Sequence, residues 1–457
     1  MFNKEGTVSM IQKETNCSVL IKNSKVILKD LSIIENGAVA IDRDKIVSIG
    51  PSKKLEESFV ASEVIDAKGK LAMPGMIDCH THTVQQFLRG GVVGERPIVW
   101  IRVLIPFEAK CNEQDRYHAA RLAILQMLKN GITTLVDSGT GDMVPIIQAI
   151  QEMGIRASVT RMTRDGGDFI PPVFKSSAEV AVRKNEDLYK EFHGSGNGRV
   201  SVWFSVTSPM TTSPKLGRLV AEAARQYNTG IHIHMAEHLD EVKHCVTEFG
   251  MRPPEFLDSC GILGKNLIAA HCIQITDDDI KLMAEREMNV IHCPTANLNS
   301  QGFPKVMAEK AAGLNIALGN DGAATANHDH FFQMQLLKYA TQAAQGIPVY
   351  QTSVLPVNDA FNMATINGAK ALMLEDKIGS LEVGKKADVI LVDVEQPIIS
   401  PNKELLNTLV MVGSGRDVTD VIVDGQVIIR NKEFTMIDEE EVIRSATAQF
   451  HDHWSRY

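Results

Sequence analysis

No window of about 18 consecutive apolar residues occurs in the sequence, so no helix is expected to span a bilayer. The N-terminal stretch MFNKEGTVSMIQKETN is polar where a secretory signal would carry its apolar segment, and no function is read into the residues before Met10. Cysteine is scarce, 7 in 457 residues, and the odd count contains no C-x-x-C spacing. That excludes a disulfide framework and a thiol zinc finger, and it fits a reducing cytoplasm. Positive charge is in deficit: a formal net charge of -9 argues against nucleic acid or an anionic membrane surface as partner. Missing too is the Gly-rich phosphate turn that a doubly wound nucleotide-binding sheet would place after its first strand.

What is present sorts into two textures. Residues 18–72 (SVLIKNSKVIL, GAVAIDRDKIVSIG, SEVIDAKGKLAM) are short β-branched runs broken by turn residues, which predicts an antiparallel, sheet-only segment. The same texture returns at 379–395 and 418–434, so the chain ends are expected to pair into one small β-sandwich domain. Between them, eight apolar runs alternate with amphipathic segments such as EQDRYHAARLAILQMLKNG and SPKLGRLVAEAARQYN. This alternation predicts an α/β fold, a distorted (β/α)8 TIM barrel. The expected division is 1–72 and 376–435 for the small domain, 73–375 for the barrel and 436–457 for a helical tail.

Such barrels present functional residues at the C-terminal ends of their strands. There the chain carries His80 and His82 after the first run, His234 and Glu237 after the fifth, His271 after the sixth and Asp321 after the eighth. Alternate residues of a strand face the same way, so His80 and His82 can chelate one cation. With His234 and a carboxylate oxygen of Asp321 they form an N3O set suited to zinc or ferrous iron, with room for water. Glu237, where the strand turns into its loop, is placed for general acid/base work on that water. His232 shares the alternation but sits lower and reads as a hydrogen-bonded core histidine. Asp321 before Gly322 taken alone would be a turn residue, and His118, His193, His451 and His453 read as surface. His328 and His330 are expected to begin a helix capped by Asn327 or Asp329.

The segments PGMIDCHTH, HMAE, AHC, HCPTAN and GNDGAA, in this order and spacing, resemble the amidohydrolase superfamily. The chain is most similar to the branch holding cytosine and guanine deaminases, methylthioadenosine/S-adenosylhomocysteine deaminases and s-triazine hydrolases. The resemblance implies metal ligands at His80, His82, His234 and Asp321, a proton shuttle at Glu237 and a transition-state-stabilising histidine at His271. Two-metal members use a carboxylated lysine from the fourth strand, and VSVWFSVTSP has none, which implies one divalent metal, zinc or alternatively Fe(II). The implied activity is hydrolytic deamination of a small heterocyclic substrate, a cyclic amidine of purine, pyrimidine, pterin or s-triazine type. Release of chloride or an alkylamine from an s-triazine is the alternative, as is a methylthioadenosine, S-adenosylhomocysteine or adenosine deaminase. A non-catalytic metal-binding barrel is disfavoured by Glu237. Relatives imply a homodimer or homotetramer.

Four residues are candidates for substrate contact. Glu108 lies near the place of a carboxylate that holds ribose hydroxyls, and reads equally as a solvated helix-start residue. Arg161 matches an arginine of the nucleoside enzymes, with a structural salt bridge as the other reading. Thr207 stands where those enzymes have the histidine of PHSPY, which puts nucleosides in doubt because a threonine supplies no protonatable ring. Gln85 stands where triazine hydrolases also have glutamine. Trp100, Phe107 and Ile98, on the first loop, read either as pocket lining for a flat ring or as core.

Overall fold

The computed structural model describes residues 15–96, 98–351 and 353–456; the segment before Met10 and most of the polar N-terminal stretch lie outside them. Eight parallel strands form the barrel: β1 (Met76–His82), β2 (Ile132–Asp137), β3 (Arg156–Thr160), β4 (Val200–Ser205), β5 (Ile231–Met235), β6 (Leu267–His271), β7 (Asn289–His292) and β8 (Asn315–Leu318). Each of the eight apolar runs supplies one of them. The last run does so in two pieces: Asn289 to His292 pair with Asn315 to Leu318, and the continuation Asp321–Gly322 pairs in parallel with Thr81 and His82. One run therefore touches both β7 and β1 and closes the barrel.

The chain ends meet in a nine-stranded sheet. Its join is the antiparallel pairing of Lys70–Pro74 with Val389–Asp393. The antiparallel, sheet-only expectation for residues 18–72 is corrected: strand Thr15–Ile27 pairs in parallel with Phe59–Asp66 and Lys70–Pro74, and helix Ser52–Ser58 intervenes. Parallel neighbours need a crossover connection. Here it runs through strands Ile33–Asp42 and Lys45–Pro51 and then a helix of 7 residues, whose one buried apolar side chain, Leu55, is too little for a helical period to show in the sequence.

Helix Glu439–Ser455 lies across helix Glu113–Lys129. The latter opens on a capping box between Asn112 and Asp115, and Asp115 also accepts from Gln449 Nε2 at 2.8 Å. His453, expected at the surface, is 1% exposed, with Nδ1 3.1 Å from Asp115 Oδ2, because the tail helix lays it on that helix start. His451 and His193 are exposed and His118 is half-buried. Asp329 caps helix His330–Thr341, as one of the two expected capping residues.

A buried charge cluster ties barrel to sheet. Arg156, opening β3, donates from Nε and Nη2 to the two carboxylate oxygens of Asp388 at 2.9 Å each, and from Nη2 to Asp424 at 3.1 Å. Removing one partner of a buried pair strands the other charge and costs about 3–5 kcal/mol. Arg156→Met is therefore expected to lower the unfolding free energy by about 3–5 kcal/mol, read as a lower midpoint in urea at unchanged slope. An unchanged midpoint would show that the domains do not depend on the cluster.

Candidate metal centre and pocket

The imidazoles of β1 and β5 converge at the barrel mouth. His82 Nε2 and His234 Nε2 lie 3.1 Å apart. Asp321 Oδ1 lies 3.4 Å from His80 Nε2 and 3.6 Å from His82 Nε2. One ligand atom each from His80, His82 and His234, and likewise from His80, His271 and Asp321, lie within 4.8 Å of one another. Burial holds His80 and His82 well below the usual imidazole value and lowers His234 as well, so these rings are neutral and offer lone pairs. Burial alone would push the Asp321 carboxyl up, but the imidazoles of His271, His82 and His234 outweigh it and leave it below its usual value.

Surrounding groups set the tautomers. His234 Nδ1 donates to the Thr207 carbonyl at 2.8 Å, which leaves Nε2 bare and facing His82. His80 Nδ1 lies 2.9 Å from His232 Nε2, while His80 Nε2 is fully buried with no hydrogen-bond partner among the described residues. His232 is thus the hydrogen-bonded core histidine expected from its lower place. A buried ring nitrogen without a partner, beside other converging lone pairs and a carboxylate, is costly unless a cation completes the set. The residues present fit a divalent metal.

Backbone strain concentrates here. Ala236, His271, Cys272 and Asp321 have φ of 49°, 76°, 52° and 60°, a region where non-glycine residues are strained. The turns are held by the Cys272 N–H to the Met235 carbonyl at 3.0 Å and the Ile273 N–H to that of Ala236 at 3.1 Å. From them Glu237 and His271 line a common pocket with His82, His234 and Asp321.

The sequence reading missed the residues that orient Glu237 and His271. Asn297 Oδ1 accepts the Cys293 N–H at 2.8 Å, which turns Nδ2 toward His271 Nδ1 at 3.0 Å. His271 therefore accepts at Nδ1 and carries its proton on Nε2. Gln301 Nε2 donates to Glu237 Oε1 at 2.6 Å, and its own Oε1 accepts from Asn297. Burial would push the Glu237 carboxyl up, but His271 and His238 outweigh it, and it sits below its usual value. The only sequence signal for this pair was that Asn297 ends the HCPTAN segment and Gln301 follows four residues later.

The pocket encloses about 440 Å³, open solvent at its mouth included. Gln85, Glu108 and Thr207 line it, as do Trp100, Leu104, Ile105, Met162, Arg164 and Ser208. Glu108 is 1% exposed, not solvated; it accepts from Gln85 Nε2 at 2.9 Å, and burial pushes its carboxyl up to about 7. Gln85 Oε1 lies where a Cβ on Gly322 would come within 1.7 Å, so any larger residue at 322 would displace the Gln85 amide. Arg161 does not line the pocket and forms no ion pair within 4.0 Å among the described residues. Arg164, three positions on, lines it instead, since after β3 the chain leaves strand geometry and alternation no longer says which side chain faces inward. Of the loop residues, Trp100 faces the pocket, whereas Phe107 packs on His453 and Trp454 and Ile98 is not in the lining.

Residues 71–428 match the amidohydrolase family. The chain is 34% identical over 436 residues to the 5-methylthioadenosine/S-adenosylhomocysteine deaminase of Moorella thermoacetica, covering 95% of this chain and 99% of that one. The fold is similar to a zinc-bound adenosine deaminase from Xanthomonas campestris, with a TM-score of 0.90 and 28% identity over 97% of this chain and 100% of that one. A zinc-complexed atrazine chlorohydrolase from Arthrobacter aurescens TC1 shares the fold, with a TM-score of 0.86 and 23% identity over 94% and 100% of the two chains.

The hydrogen bond that His80 Nδ1 donates to His232 Nε2 yields a prediction. Partners behind metal-binding histidines are worth about 10–100-fold in metal affinity. His232→Leu should weaken zinc binding by that factor in a chelator competition, without loss of secondary structure by circular dichroism. Unaltered affinity would leave His232 a packing residue only.

Proposed function

Because the chain belongs to the amidohydrolase family, we propose that it is a metal-dependent hydrolase that deaminates a nitrogen heterocycle, replacing an exocyclic amino group with oxygen and releasing ammonia. The observation that carries this reading is Glu237 and His271 beside a complete ligand set, since a purely structural metal site has no use for them. Held by His80, His82, His234 and Asp321, a divalent cation supplies the Lewis acidity that makes water nucleophilic near neutral pH. We assign one zinc per chain, with ferrous iron as the alternative, because imidazole and carboxylate suit both and β4 contains no lysine. The working form is a cytoplasmic homodimer or homotetramer in which the barrel of residues 73–375 does the chemistry; among the described residues no helix is long and apolar enough to cross a membrane.

The chain's own groups divide the work. Glu237 takes a proton from the attacking water and passes it to the ring nitrogen next to the amidine carbon, with Gln301 fixing one carboxylate oxygen so that the other is free to shuttle. His271, protonated on Nε2, donates to the oxygen on which charge develops. The hydroxyl now bonded to the carbon gives up its remaining proton, which Glu237 passes to the amino group; the carbon–nitrogen bond breaks, the carbonyl forms and ammonia leaves. Purine nucleosides lead the candidates, since the Moorella relative is named for two of them, and the buried Glu108 is suited to accept from hydroxyls. Gln85 can read a ring edge.

The test is ammonia release by metal-replete protein across 5′-methylthioadenosine, S-adenosylhomocysteine, adenosine, guanine, cytosine, pterin and amino-s-triazines. Glu237→Gln should lose about 10²–10⁴-fold in kcat while keeping its metal. No ammonia from any compound would sink the deaminase reading and favour chloride or alkylamine release. A pH effect follows from Glu108. Its carboxyl sits at about 7, so it is ionised and a stronger acceptor above that pH. KM for hydroxyl-bearing substrates should fall as pH rises through about 7, and Glu108→Gln should flatten that profile. A profile unchanged in the variant would assign the inflection elsewhere.

A further inference from the structure

Two polar side chains of the pocket wall stand on short helical pieces rather than on strands. Gln85 belongs to the 3-10 turn Thr83–Leu88, of 6 residues. Glu108 belongs to helix Ile105–Lys110, also of 6 residues, which follows a π turn closed by the Ile105 N–H donating to the Trp100 carbonyl. Helical pieces this short are not stable by themselves, and a π turn is rare outside functional sites. The two nevertheless meet closely, Gln85 Nε2 donating to Glu108 Oε1 at 2.9 Å, so a small displacement of either piece would break the wall. Contacts from elsewhere in the chain must hold them.

The tail helix Glu439–Ser455 packs against both. Its Phe450, His453 and Trp454, spaced i, i+3 and i+4, share one face. Phe450 meets Phe87, two residues past Gln85, edge to face with ring centroids 5.8 Å apart. His453 and Trp454 pack on Phe107, the residue before Glu108, at 5.0 and 6.1 Å. Phe87 and Phe107 are 2% and 6% exposed and share one apolar cluster with Val84, Leu88 and Ala446. The helix is fastened to helix Glu113–Lys129 towards both of its ends: Arg121 Nη2 donates to Glu441 Oε2 at 2.8 Å, and Asp115 takes the contacts of Gln449 and His453. Phe450, His453 and Trp454 do not themselves line the pocket.

We propose that Phe450, His453 and Trp454 are positioning residues through which the tail helix sets Gln85 and Glu108 against the substrate. Their effect on turnover rests on the deaminase reading, whereas their hold on residues 83–88 and 100–110 does not. Groups already fixed in their binding geometry lose less freedom when a ligand arrives, so loosening them weakens binding. The metal ligands and Glu237 stand on barrel strand ends, away from this contact, so the chemical step is left as it was.

The test compares native protein with the Phe450→Ala, Trp454→Ala double variant by hydrogen–deuterium exchange and by kcat and KM on whichever compound releases ammonia. Amides of 83–88 and 100–110 should exchange faster, and KM rise, by about 3- to 10-fold, the size expected for lost aromatic pairs, while kcat stays within about 2-fold. Zinc affinity and the exchange of β1 and β5 should not change. Phe450→Leu with Trp454→Phe, which keeps apolar cover over both rings, should bring exchange and KM back towards native values. Native exchange at 83–88 and 100–110 in the alanine variant, or a fall of kcat and zinc affinity together with the rise in KM, would overturn the proposal. Should no compound release ammonia, the deaminase reading fails, while the exchange pattern and zinc affinity still decide whether the tail helix holds the wall.

Discussion

Asp78 and Asn320 meet where the barrel closes. Asn320 Nδ2 donates to Asp78 Oδ2 at 2.8 Å and its backbone N–H to Asp78 Oδ1 at 3.0 Å. Its Oδ1 accepts from Gln333 Nε2 at 3.0 Å, so the amide is fixed from both ends. Burial pushes the Asp78 carboxyl up to about 7 against these bonds, which shows how dry the junction is. The junction sets the register in which Asp321 faces Thr81 and Gly322 faces His82. Were that register to slip by one residue, the carboxylate of Asp321 would no longer point at His80 and His82, since alternate residues of a strand face opposite ways. The metal centre, the pocket beside it and the place of Gln85 against Gly322 all depend on this closure.

The strained turns belong to the same design. Each left-handed non-glycine residue costs of order 1–3 kcal/mol and persists only where the surroundings over-determine it. At His271 they do: its carbonyl accepts from His292 Nδ1 at 3.1 Å, and His292 Nε2 lies 2.6 Å from Glu309 Oε2, with both side chains 0% exposed. A clamp buried beneath the strand ends thus holds the backbone that aims His271. Glu241, whose carboxyl burial pushes up to about 8, does the corresponding work for β5 by accepting the Ala236 N–H at 2.6 Å.

Much of this was legible in the sequence, for a physical reason. Strand periodicity is short-range, so His80 and His82 could be placed on one face from their spacing alone, and the order of the apolar runs placed His234, His271 and Asp321 at neighbouring strand ends. What lay beyond reach depends on contacts between distant positions. The amide of Asn297 selects a tautomer on His271, and the tail helix buries His453; neither leaves a local pattern. Arg161 and Arg164 differ by three residues in a loop without a repeat, and there only the fold says which one faces inward. The parallel pairing of Thr15–Ile27 was hidden for a related reason, since a single buried leucine carries the helix that makes the crossover.

The pocket divides into two halves that the chain builds differently. The inner half, His82, His234, Glu237, His271 and Asp321, stands at strand ends whose positions the barrel's hydrogen bonds determine. The other half, Gln85, Trp100, Glu108, Arg164 and Thr207, stands on the segments after β1, β3 and β4, where side-chain direction follows local loop contacts. Changes in the second half leave the barrel register untouched. That separation is in keeping with one fold serving an adenosine deaminase and an atrazine chlorohydrolase, since function resides in the residues mounted on a fold and not in the fold itself.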